Sequence, residues 1–442
     1  MRNSFSSYYQ NIINTNLFKD TLKTTIWSIF GRSFGLLIPF FLASWFGINS
    51  KMDAFFYVYS ITLLIATIFS SVLEALIVPF IQEINAKKGD ISSFIGRIFG
   101  NVSLGIFVLL ILLFPIIKPI LKLITQFNKN DLDLIQKLFV EISPFILLMI
   151  WTSIISGVHY AYKKFMLPAL SPAFRAFTLL LVMLIFKNRY GIHSIVLGYV
   201  AAEFIRFIIL AFSLYRSKLI KLNLAIKFDT NFFIFVKTAF FSMISLVAVQ
   251  SNILVDKTMA SWLETGSVSI LHYAERLYMI PITFISAGIL KTTLSHWSEN
   301  YYISNSFDIL CKALKKAKKY IFSFCLLTSL ILICFHKIII KIALQRGEFP
   351  IDRIPEVGLT LVFYLIGFSP LMLSQLYVRG FLVLKKTKIM MKCSIYSILI
   401  NIFSNFLFMN LIGIAGIALS TTFVSIFSLL YYQKKFKQVM AK

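Results

Sequence analysis

Twelve stretches of about twenty mostly apolar residues run through this chain of 442 residues, and nothing else in the sequence constrains its fold as strongly. A stretch of that length, wound as a helix, spans a hydrocarbon core of roughly 30 Å. Inside such a core every backbone N–H and C=O must be satisfied within the protein, which leaves helices as the natural spanning element for runs this long. The runs fall near residues 21–46, 54–80, 93–116, 138–160, 169–187, 193–215, 230–254, 266–290, 318–341, 356–382, 389–411 and 412–433. They predict an all-α polytopic membrane protein with about 12 transmembrane helices. Composition agrees: only 14% of residues are charged, against about 25% in soluble domains. The N-terminus lacks the pattern of a cleaved signal, so the first run reads as a retained span.

The formal net charge of +26 raises nucleic acid as a partner, but the placement of the cations excludes it. Lys and Arg do not form a stripe on a polar fold. They gather in alternate connections, around residues 19–23, 87–97, 163–164, 216–227, 312–319, 385–392 and 434–437. The other connections carry fewer, mixed with Asp131, Asp133, Glu348, Asp352 and Glu356. Cations concentrate on the cytoplasmic side of a membrane protein. Twelve spans with both termini in the cytoplasm satisfy that rule at every loop. The stretch 117–137 mixes Leu and Ile with Lys and Asp and reads as an amphipathic segment lying on the outer surface.

A charged link, RSKLIKLNLAIKFD at 216–229, divides the spans six and six. The expected units are an N-lobe, residues 1–218, and a C-lobe, residues 219–442. Six spans each give the halves the same orientation, a plan that places a substrate cavity between them.

Charged side chains within the runs matter most, because each costs about 2.5–3.5 kcal/mol on insertion scales unless it faces a cavity or a partner. Glu203 and Arg206 lie three apart and share a helix face, so they can neutralise each other. Lys237 is close enough to a span end to snorkel, and Arg175 and Arg379 read the same way. Arg32 and Arg276 differ: neither has an acid three or four positions away, and Glu275, adjacent to Arg276, points about 100° away from it. Two guanidinium groups from spans 1 and 8, one per lobe, could meet across a cavity and bind phosphate by paired hydrogen bonds. A structural lock with Asp53 or Glu74 is the alternative for the same residues.

No HExxH or CxxC pattern suggests a metal, and no Walker motif suggests ATP. The four cysteines read as packing residues. An enzyme acting on membrane lipids would need an acid or base among the five carboxylates of the short outer loops, so the expectation is no enzyme. A cation-coupled drug exporter would use Glu74, Glu203 and Glu275, and the arginines favour an anionic substrate over that reading.

Several segments, in order along nearly the whole chain, resemble the MurJ/MviN family of lipid flippases. GRSFGL at 31–36 and FGINSKMDAFF at 46–56 resemble its opening, and YKKFMLPALSP at 162–172 its connection between spans 4 and 5. VDKTMASWLE at 255–264 with TGSVSILHYAERLYMIP at 265–281 is similar to its span-8 signature. RGEF at 346–349 and NIFSNFLFMNLIGIAGIALSTT at 401–422 are similar to later elements. The resemblance implies two six-helix lobes around a central cavity, in the multidrug/oligosaccharidyl-lipid/polysaccharide exporter superfamily. It implies transport of lipid II, an undecaprenyl-diphosphate-linked peptidoglycan precursor, from the inner to the outer leaflet of the bacterial cytoplasmic membrane. It assigns substrate binding to Arg32, Arg276, Asp53 and Glu275. Implied partners are the lipid-linked saccharide diphosphate, the bilayer and other proteins of cell-wall synthesis. No cofactor is implied; membrane potential or an ion gradient is available to drive movement. Two departures stand out. The second span carries no Lys or Arg where the family has an arginine, and two further C-terminal spans of the family are not present in this sequence. They keep another polyprenyl-linked glycan, an O-antigen or capsule unit, as an alternative cargo.

Overall fold

The structure, a computed structural model, describes residues 26–27, 30–217, 226, 230–285, 297, 307–384 and 386–440. The chain is an all-α polytopic membrane protein, and among the described residues nine helices are long and apolar enough to cross a bilayer. In chain order the first six helices are α1 (Phe30–Phe46, with a 3-10 turn at Phe34–Leu37), α2 (Ser50–Ala86), α3 (Ile91–Ile124), α4 (Lys129–Ala161), α5 (Met166–Tyr190) and α6 (His193–Arg216). They are followed by α7 (Thr230–Ala260), α8 (Ser267–Ile285), α9 (Phe307–Cys334) and the short α10 (His336–Leu344). The last four are α11 (Ile354–Ile366), α12 (Phe368–Val383), α13 (Thr387–Ile412) and α14 (Ile414–Met440). The pairs α9/α10 and α11/α12 each occupy one predicted crossing, so the helices follow the twelve expected runs.

Residues at helix ends explain where the chain turns. Asn49, Asp90 and Asn128 cap α2, α3 and α4, their side-chain oxygens accepting from Met52, Ser93 and Asp131 N–H, the usual remedy for orphaned first-turn donors. Gly413 ends α13 at φ +60°, which separates it from α14. The expected surface segment at 117–137 is absent. Leu and Ile of 117–124 instead prolong α3 as a spanning helix, and α4 starts at Lys129. The polar residues of that stretch sit at the two facing helix ends, where Lys118 pairs with Asp133.

α4 is the core helix of the first half. Ile135, Leu138, Ile142, Phe145 and Ile146 are fully or almost fully buried, repeating at helical spacing, whereas Val140 on the other face is exposed. α3 shows the opposite character, with Phe107, Val108, Ile111 and Leu112 exposed. In a bilayer those side chains face acyl chains, so the apolar face of α3 needs no protein partner. Contacts run mainly within each half: α2 with α4, α4 with α6 and α5 with α6, then α13 and α11/α12 with α14. The halves meet chiefly where α2 packs on α7 and α8. The expected boundary at 218–219, the loop cations Lys19, Lys23, Lys218, Lys221 and Lys227, and the end of the eighth predicted span lie outside the described residues.

Candidate functional site

The two ends of this α2–α7/α8 seam are built differently, and between them lie most of the charges that sequence singled out. At one end, called here the Asp53 end, the carboxylate of Asp53 in the first turn of α2 is 3% exposed and reaches across to the start of α8. It accepts from Gly266 N–H (2.5 Å), Ser269 N–H (2.7 Å) and Ser269 Oγ (2.5 Å). A carboxylate from one lobe thus caps a helix N-terminus of the other, where the helix dipole also favours it. Around it Tyr273 donates to the Gly47 carbonyl (3.0 Å), Glu348 N–H to the Ser44 carbonyl (2.9 Å), and Tyr57 bonds Thr258 (2.9 Å). The approach is close enough that a Cβ on Gly47 would overlap the Glu348 carbonyl, and one on Gly347 the Ser44 carbonyl. Both glycines also hold positive φ, +63° and +61°, so side chains are excluded twice over. This explains why GINS and RGEF matter: they are the two faces of one backbone contact.

The opposite end of the seam is apolar. Phe235 near the start of α7 packs edge-on against Phe80 of α2 (5.2 Å between ring centroids) and Phe94 of α3 (6.0 Å).

Arg276 lies about two and a half turns inside α8, roughly 14 Å from its first residue by helix rise. Its Nε donates to His272 Nε2 (3.4 Å). His272 in turn stacks on Phe56 of α2 (3.8 Å between centroids) and has Lys257 Nζ 3.0 Å from its Nδ1. Across the seam, Arg276 is within electrostatic reach of Tyr59, Tyr199 and Arg175. Its sequence neighbour Glu275 is the strongest charge acting on it, although the 100° step of a helix turns the two side chains apart. Glu275 lines a cavity of about 440 Å³ among α7, α8, α11/α12, α13 and α14, together with Asp256, Lys257, Tyr278, Tyr364 and Gln375.

Arg32 is exposed and lies roughly 20 Å from the Phe46 end of α1 by helix rise. Gly31 beside it packs directly on Ala169 and Leu170 of α5. Arg32, Glu74 and Arg206 share the electrostatic surroundings of Tyr160, so Arg32 stands deeper than Arg276, toward the apolar end of the seam. The predicted Glu203–Arg206 pair is present (3.0 Å). Arg175 differs from expectation: it sits well inside α5, with Nη1 3.4 Å from Glu203.

Sequence reasoning missed one buried cluster. Asp256 on α7 accepts from Asn401 (2.9 Å) and Asn405 (2.7 Å) of α13 and from Thr421 (3.3 Å) of α14. Two Asn residues four apart on one face of an apolar helix were the available signal. Among the described residues no three His, Cys, Asp or Glu side chains converge as a metal site.

Helices long and apolar enough to cross a bilayer, in two halves joined at one end by hydrogen bonds and with Arg175, Arg206 and Arg276 well inside them, define a polytopic membrane protein. Residues 42–441 match the family described as lipid II flippase MurJ, and the chain belongs to that family. A protein of Borreliella burgdorferi described as a probable lipid II flippase MurJ is 25% identical over 358 residues, covering 78% of this chain and 69% of its own. One from Rickettsia prowazekii with the same description is 26% identical over 439 residues, covering 96% and 84%. A solved structure of lipid II flippase MurJ in an inward closed conformation superposes with a TM-score of 0.82 at 25% identity, covering 94% of this chain and 87% of that one.

Proposed function

We propose that this protein is a lipid II flippase: it moves the undecaprenyl-diphosphate-linked peptidoglycan precursor across the membrane for cell-wall synthesis. The observation that carries the reading, beside family membership, is Arg276. A guanidinium at bilayer depth is costly; this one bonds His272 on its own helix, and beside Glu275 the groups within its electrostatic reach are Tyr59, Tyr199 and Arg175 of the other half. An anionic headgroup passing between the lobes would offset that cost through charge-assisted bonds.

In this reading the N-lobe spans residues 1–218 and the C-lobe 219–442. The cation-rich loops, including Lys87, Lys163 and Lys164, lie at the end opposite Asp53. By the rule that cations concentrate on the cytoplasmic side, this supports an Asp53 end facing outward and both termini in the cytoplasm of a bacterial inner membrane. Arg32, deeper toward the cytoplasmic side, meets the diphosphate first, and Arg276 receives it further in. Asp53 acts by closing the outer end, where its oxygens hold the α8 N-terminus, and Glu275 lines the C-lobe cavity and balances Lys257 and Arg276. Rocking of the lobes about the α2–α7/α8 seam then exposes the headgroup to the other side. Membrane potential can contribute, since one charge crossing the membrane is worth about 2.3 kcal/mol per 100 mV.

The test is rescue of cells depleted of their own lipid II flippase. The wild-type chain restores growth and Arg276→Ala does not, at matched membrane levels. Failure of the wild-type chain to rescue while it flips another polyprenyl-diphosphate glycan would move the assignment to that cargo.

A further inference from the structure

Glu203 of α6 is fully buried and touches two arginines: its Oε2 is 3.4 Å from Arg175 and its Oε1 3.0 Å from Arg206. One carboxylate cannot neutralise two guanidinium groups, so the triad keeps a net positive charge at bilayer depth. The two arginines are not equivalent. Arg206 also donates through Nε to Ser171 (2.9 Å) and its side chain is 15% exposed. Arg175 holds Glu203 at the long limit of a hydrogen bond and its side chain is 29% exposed, which leaves much of its five-donor fork open. Tyr59 and Tyr199, whose rings lie 4.6 Å apart, are within electrostatic reach of Arg175, and both tyrosines together with Arg175 fall within reach of Arg276 on the facing lobe. The second span, in contrast, has no Lys or Arg between Tyr57 and Phe80.

We propose that Arg175 is the N-lobe half of a cross-lobe diphosphate clamp whose C-lobe half is Arg276, with Glu203 holding Arg175 in aim. The inference rests on the flippase reading and adds to it the residue that partners Arg276. A diphosphate presents two phosphoryl groups side by side, and two planar guanidinium forks on opposite walls match them one to one. Two cations facing each other across a seam repel when nothing lies between them. A dianionic headgroup reverses that force, so ligand arrival favours the lobes being together at this depth. Glu203 suits the positioning role because its second arm, on Arg206, keeps it charged and fixed while Arg175 turns toward ligand.

The test uses the full-length protein in nanodiscs with two probes, undecaprenyl diphosphate and undecaprenyl monophosphate. The wild type binds the diphosphate more tightly. Arg175→Ala weakens diphosphate binding about tenfold, as Arg276→Ala does, and erases the preference over the monophosphate. Arg175→Lys restores charge without the fork and recovers the affinity only in part. Arg175→Gln, which keeps a donor facing Glu203, serves as the uncharged variant if the alanine variant unfolds, and must show the same loss. Either uncharged variant binding with wild-type affinity and preference, while Arg276→Ala loses both, overturns the clamp and leaves the flippase reading standing. A folded wild type that binds neither lipid overturns the flippase reading, and the clamp with it.

Discussion

The two ends of the lobe seam close by different physics. At the Asp53 end the contact is made of directional bonds: one carboxylate satisfies two backbone donors and a hydroxyl of the other lobe, and two glycines bring main chains into direct touch. At the other end Phe235 meets Phe80 and Phe94 edge to face, and those two rings stack on each other. A buried set of hydrogen bonds is all-or-none, because separating the partners leaves donors and acceptors without replacements in a dry site. Ring contacts lose energy gradually and tolerate sliding. The difference teaches what to expect of the proposed rocking: the Asp53 end should act as a latch that snaps and the Phe235 end as a bearing that rolls.

The sharpest way to break the comparison is Asp53→Ala. It strands Gly266 N–H and Ser269 N–H and removes a helix cap, shifting the equilibrium toward opening by on the order of 3 kcal/mol, or about a hundredfold. A cysteine placed at Thr258 in a cysteine-free background should then label much faster from the outer side, and rescue of a flippase-depleted strain should fail. Labelling unchanged from the parent protein would mean Asp53 is no latch.

Phe235→Ala tests the other end and is the smaller effect. Loss of its contacts with Phe80 and Phe94 should favour opening there by about 1 kcal/mol, or roughly fivefold. Label access should rise on the cytoplasmic side alone. If access rises equally at Thr258, the two ends are not independent.

Arg353→Gln should matter least. Arg353 bonds Glu356 (2.9 Å) and lies 3.7 Å from Glu264 at the rim of the Asp53 end. Exposed ion pairs contribute about 0.5 kcal/mol or less. Label access at Thr258 should change less than twofold, and a change as large as that of Asp53→Ala would assign the latch to rim charges instead of the buried carboxylate.

The helices themselves were legible, because about twenty apolar residues in a row leave a bilayer-spanning chain little choice. So was the Glu203–Arg206 pair, since i and i+3 share a face whatever surrounds them. The misread stretch 117–137 shows the limit of such patterns: polar residues at two facing helix ends, read in one line, look like a single amphipathic segment. The site was half legible. Arg276 was visible as a costly charge, but its partner across the seam was not. Arg175 looked like a span-end cation, and only the packing of α5 on α6 turns it toward Glu203.

Sequence alone therefore determined the solvent, the helical class, the number of crossings and which charges required an explanation. Those follow from local composition and periodicity, which act within one helix at a time. The tertiary structure decided which charges face one another: Asp53 with the α8 N-terminus, Arg175 with Glu203, Arg276 toward Tyr59 and Tyr199, and Glu275 into a separate cavity. Rotation of each helix about its axis sets those pairings, and that rotation is fixed by close packing between helices, where one residue's step of 100° separates a latch, a clamp and a cavity wall.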